Sequence, residues 1–105
     1  MKEEDPLEQK YTEAPEIVTS VDSGQAKLQM EISLVNVEKE NISLMMDENG
    51  CYLSAPSDDA EYVAAISFLR AVKPSEAKAI FADGFLRVEI PFRDPLENYV
   101  KVPVE

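Results

Sequence analysis

The sequence predicts an all-β protein, an antiparallel sandwich of about seven strands, on three observations. Leu28, Met30, Ile32 and Leu34 recur at spacing two against Lys27, Gln29, Glu31 and Ser33, the pattern of a strand with one buried face. The run Ala79 to Pro91 holds a turn at Asp83-Gly84, an alternating strand and a proline stop. Turn-forming residues separate short β-branched and apolar runs along the chain, with no convincing long helix between them.

Residues 1–16 hold six acids, two lysines and two prolines, with Leu7 and Tyr11 as the only large apolar side chains after Met1. They read as a flexible acidic arm, because so little apolar surface cannot offset the entropy of ordering it. Ile17, Thr19 and Val21 alternate with Val18 and Ser20, and Asp22-Ser23-Gly24 turns the chain into the Leu28–Leu34 strand, so a hairpin is expected. Val37 to Ile42 is a short connection. Ile42, Leu44 and Met46 then share a strand face, Asn49-Gly50 suits the positive φ angles of a type I′ hairpin turn, and Cys51, Leu53 and Ala55 return antiparallel.

Pro56-Ser57-Asp58-Asp59 ends that strand with turn chemistry. Residues 61–72 are ambiguous. Tyr62, Ala65, Ile66 and Leu69 have helical spacing, whereas Ile66, Phe68 and Arg70 alternate, and a strand over Ala65 to Ala71 is expected because the antiparallel neighbours leave one partner missing. In the last strand Leu86, Val88 and Ile90 face one way and Phe85, Arg87 and Glu89 the other, with Gly84 free to take φ > 0 before them. Pro91 ends it, Phe92 to Asn98 reads as a linker, and Tyr99 to Val104 as a short extended tail.

A chain of 105 residues with one cysteine is a single small domain that holds its core without disulfides. Its net charge of −11 opposes binding to nucleic acid or to an anionic membrane surface. The first residues lack the basic start and apolar run of a secretion signal, and no stretch is long enough for a membrane-spanning helix, so a cytoplasmic protein is expected.

No histidine is present, which removes the commonest general base, the usual zinc ligand and the Ser-His and Cys-His nucleophile pairs. An enzyme is not expected, and neither is a cofactor. Cys51 sits near Asp47 and Glu48, which raise rather than lower a thiol pKa, and it reads as a packed, idle side chain. Asp47, Glu48, Asp58, Asp59 and Glu61 lack the spacing of a calcium loop and read as solvated loop charges, so no metal site is expected. Asn41-Ile42-Ser43 matches a glycosylation acceptor that has no use without secretion.

Ala79, Asp83-Gly84 and Leu86, in the order Ala-x-x-x-Asp-Gly-Phe-Leu, resemble the Ala-x-x-x-Asn-Gly-Val-Leu signature of the small heat-shock protein, or alpha-crystallin domain, family. Val88-Glu89-Ile90-Pro91 is similar to the Val-x-Ile-Pro that follows it, and Val72-Lys73-Pro74 through Ala79 to the approach before it. Val37 to Ile42 resembles a further family segment, without its glycine. From about Ile17 to Val104 most of the chain can be laid on the family pattern.

The resemblance implies an immunoglobulin-like, alpha-crystallin-type sandwich over residues 17–91, with Ala79, Asp83, Gly84 and Leu86 structural, and a C-terminal extension over 92–105. It also implies a small, stress-responsive, ATP-independent chaperone that binds partly unfolded proteins at apolar strand edges. Val102-Pro103-Val104 resembles the family's C-terminal Ile/Val-x-Ile/Val motif. Pro103 holds the segment extended, so Val102 and Val104 present two knobs to a sheet edge; a frayed last strand is the other reading. The corresponding groove lies between the Ile42–Met46 and Ala77–Phe81 strands, lined by Ile42, Leu44, Met46 and Ile80, and would join subunits into a homo-oligomer. Strand-swapping family members insert a long excursion where this chain has only about nine residues between Ala55 and Ala65, too few to cross to a partner and return. A second class therefore stays open: a monomeric adaptor, similar to CS-domain co-chaperones or to the module appended to some anion-pump-type ATPases, binding one folded partner.

Overall fold

The fold was established from a computed structural model, which describes residues 11–105. Among the described residues eight strands form two four-stranded sheets. They are β1 (Tyr11–Glu13), β2 (Ile17–Asp22), β3 (Lys27–Ser33), β4 (Ser43–Asp47), β5 (Gly50–Pro56), β6 (Ala60–Ser67), β7 (Lys78–Ala82) and β8 (Phe85–Pro91). One sheet has the order β1-β6-β5-β4 and the other β2-β3-β8-β7. All pairings are antiparallel except β1 with β6.

The alternating runs become the inner faces. Leu28, Met30 and Ile32 of β3 pair in register with Ile90, Val88 and Leu86 of β8, and all six are buried. Across the sandwich Cys51, Leu53 and Ala55 of β5 close the core. Each fully buried branched side chain among these contributes on the order of 1.5–3 kcal/mol. The outer face of the β3–β8 pair is charged instead. Arg87 Nε donates to Glu31 Oε2 at 2.9 Å and Lys27 Nζ lies 3.5 Å from Glu89 Oε1, exposed pairs worth ~1 kcal/mol or less each.

Four features differ from the expectation. The N-terminal arm read over residues 1–16 falls largely on residues 1–10, outside the described residues, but Tyr11–Glu13 forms β1 along β6, Pro15 is buried and Ser33 N donates to Glu16 O at 3.0 Å. Backbone pairing, invisible to side-chain pattern, recruits this segment, and the strand count becomes eight. The ambiguous stretch is a strand, but it spans Ala60–Ser67 rather than Ala65 to Ala71. Ser57 causes the early start: its N donates to Ala60 O at 2.7 Å and its Oγ accepts from Ala60 N at 3.1 Å, closing the hairpin in three loop residues.

The β4–β5 turn differs in type. Asp47 pairs with Gly50, leaving Glu48-Asn49 as the loop, and neither has positive φ. It is not a type I′ turn: Asp47 Oδ1 accepts from Asn49 N and Gly50 N at 2.8 and 2.9 Å and holds the loop in this other form. Finally, Phe92 is buried, bridges Val72 and donates its N–H to Ala26 O at 2.9 Å. The sandwich thus holds Phe92, one residue into the segment read as extension.

Candidate binding groove

β4 and β7 are the edge strands on the same side of the two sheets. The space between them is an open groove of about 710 Å³. Ile42, Leu44 and Met46 form one wall, Ala77, Ala79 and Phe81 the other, and the inward-facing Leu86 and Val88 lie at its base. Among the described residues lining it, Lys39 is the only charged one. Ile42, Leu44 and Met46 are half-buried, packed on the core from one side and open on the other. An edge strand also carries unpaired N–H and C=O groups, so the groove offers apolar contact and backbone hydrogen bonding together.

Local chemistry sets the walls. The Asp83-Gly84 turn has φ of 55° and 81°, the positive pair of a type I′ turn that matches strand twist. Leu34 N donates to Gly84 O at 2.8 Å and pins this turn to the end of β3. Ala79 pairs with Val88 and Phe81 with Leu86, so two of the residues read as a family signature, Ala79 and Leu86, lie in one wall and the base. The small Ala79 keeps the groove deep. Pro74 begins a 3-10 turn, Pro74–Glu76, that leads into β7 and lines the same groove.

The structure brings Ile42, Leu44, Met46 and Ile80 around this one groove. Ile80 stands at its rim, 66% exposed, because it alternates with Ala79 and Phe81. The sequence gives Ala79 a structural role and Phe81 only as the end of the strand, naming neither as groove lining, although the alternation of β7 carries that signal. Val102 and Val104 lie outside the groove, 72% and 95% exposed. Tyr99 to Glu105 has no regular structure.

The methionines divide by position. Met30 is core, Met46 is groove, and Met45 is 65% exposed on the outer face, directly across from Tyr52. Cys51 is buried, and desolvation raises its thiol pKa, so it is poorly nucleophilic at neutral pH. Among the described residues no group of three or more His, Cys, Asp or Glu could hold a metal ion, and no helix is long and apolar enough to cross a membrane.

No protein-family model matches the chain, and no curated protein matches it by sequence. Solved structures do match by shape. Heat shock protein 16.0 from Schizosaccharomyces pombe superposes with a TM-score of 0.70 at 13% identity, over 96% of this chain and 80% of that one. A Del-C4 mutant of hsp14.1 from Sulfolobus solfataricus gives 0.66 at 18% identity over 77% of each chain. HSP18.5 from E. histolytica gives 0.65 at 15% identity, over 90% of this chain and 99% of that one. At these identities the likeness establishes the fold, which is the alpha-crystallin-type β-sandwich of small heat-shock proteins.

Proposed function

We propose that this alpha-crystallin-type sandwich works as a small heat-shock-type holdase, binding partly unfolded proteins without ATP and without catalysis. The observation that carries the reading is the β4–β7 groove, apolar and open between two strand edges. An unfolding protein exposes extended apolar segments. Such a segment can add its backbone to the β4 edge and seat alternate side chains between Leu44 and Phe81. The Val102-Pro103-Val104 segment has the same chemistry, and in another copy of the chain it would fill the groove at rest and build a homo-oligomer. A cytoplasmic location and a role under stress accompany this reading.

The reading predicts that near-equimolar protein suppresses the turbidity of a heated aggregation-prone enzyme with no ATP present. Leu44→Asp should lose most of that suppression while the domain stays folded, because Leu44 is half-buried and the carboxylate can turn to the open side of the groove. Unchanged suppression by the folded Leu44→Asp protein would sink the groove as the site.

A second reading, an adaptor for one folded partner, draws support from two observations. The β5–β6 hairpin closes in three residues, which leaves no excursion at that place to swap between subunits. Met45, Tyr52 and Ala65 also stand in one cross-strand row on the outer face of the sheet, all exposed. Failure of the heated assay with the domain still folded would favour this alternative.

A further inference from the structure

Arg93 sits where the chain leaves the sandwich, and it is tied in both directions. Its backbone N–H donates to Ala71 O at 2.9 Å. One guanidinium nitrogen, Nη1, donates to Glu48 Oε2 at 2.5 Å on the β4–β5 turn, and the other, Nη2, to Glu97 on the extension. A fork of this kind holds two carboxylates in fixed directions, as a lysine could not. The hydrogen bond from Arg93 holds the Glu97 carboxyl below the ordinary glutamate range, so that arm of the fork is charged at neutral pH.

The chain beyond Arg93 is folded into a short brace. Glu97 N donates to Asp94 O and Tyr99 N to Leu96 O, both at 3.0 Å, and Leu96 N donates to Asp94 Oδ1 at 2.9 Å. From this brace Tyr99 to Glu105 runs out exposed.

Length alone does not stop the tail from entering the groove of its own chain. Arg93 is anchored on Glu48, two residues beyond the groove residue Met46, and Val102 lies five residues past Glu97, a reach of roughly 16 Å. A tethered ligand able to return meets its site at an effective concentration on the order of millimolar. Copies at micromolar concentration compete with it at a disadvantage. Assembly through the tail therefore needs something that denies the return.

We propose that the Arg93 fork, joined to Glu48 on the sandwich and to Glu97 on the extension, holds the tail away from its own groove and offers Val102 and Val104 to a second copy. This rests on the reading of the groove as the dock of the tail. Arg93 is a positioning residue: it touches neither groove nor valines, and it selects which groove the valines reach.

The test uses the full chain with Glu97→Ala, which frees the brace and leaves Arg93 on Glu48, and with Arg93→Ala beside it. Light scattering across concentrations gives the mass, and hydrogen exchange of the outward β4 amides gives groove occupancy. The expected result for Glu97→Ala is a mass falling to about half or less, with β4 still protected and that protection now independent of concentration. Mass unchanged, or β4 protection lost with the mass, would overturn the role of the fork. Val102→Ala with Val104→Ala in the unaltered fork is the separate check. If that pair leaves the mass unchanged, the tail-in-groove reading itself falls, and the fork proposal with it.

Discussion

Gly50→Val is expected to lower the melting temperature more than any substitution at the Asp83-Gly84 turn. Gly50 opens β5, paired with Asp47 on one side and Ser67 on the other. A Cβ there would stand 2.5 Å from Ile66 O, with Ile66 C and Ser67 Cα both at 3.5 Å. Those atoms are backbone at the end of β6, paired with the start of β5, so they cannot swing aside without parting the two strands there. Overpacking against rigid neighbours costs ~3 kcal/mol, a large share of the total for a small domain and roughly 12–24 °C in melting temperature.

Gly84 has φ of +81° but only Leu34 O, at 3.9 Å, near its missing Cβ. Gly84→Ala therefore meets backbone strain alone, about 1–2 kcal/mol. Thermal unfolding followed by circular dichroism ranks the two. Wild-type melting for Gly50→Val would contradict the close β5–β6 approach.

Val102→Ala with Val104→Ala is expected to weaken assembly roughly a hundredfold per tail contact. Each change removes two methyl groups, worth ~0.8 kcal/mol apiece when buried, and every 1.4 kcal/mol is about tenfold in affinity. In the free tail both valines are exposed, so neither change should alter the stability of the sandwich. Mass by light scattering should fall, and the melting temperature should not. An unchanged mass at the same concentration would mean that Tyr99 to Glu105 is only a frayed end.

Much of this fold is legible in side-chain pattern because side chains decide it. The inner rows of β3, β5 and β8 read directly as alternation, and the same rows are buried in the structure. Where backbone decides, the pattern is silent. β1 pairs through main-chain groups with all three side chains exposed, so nothing in Tyr11-Thr12-Glu13 distinguishes it from an arm. The β4–β5 turn follows an Asp47 side-chain hydrogen bond in place of the φ preference of Asn-Gly, and Ser57 does the same for the start of β6.

The groove follows the same division. Ile42, Leu44 and Met46 are legible as one face of a strand, and their place beside β7 came only with the family resemblance. Nothing local links residue 44 to residue 81. The Arg93 fork was not legible at all, since Glu48 and Glu97 lie 45 and 4 residues from it and only the fold brings both to one guanidinium.

The central claim, that the β4–β7 groove takes extended apolar segments, is tested most directly by hydrogen exchange on the Val102→Ala, Val104→Ala protein. That chain cannot fill its groove with its own tail, so a synthetic peptide of residues 98–105 can be added in excess without competition. Slower exchange confined to β4 and β7, and absent with a peptide carrying alanine for both valines, is the predicted result. Protection on the Met45–Tyr52–Ala65 face instead, or nowhere, would contradict it.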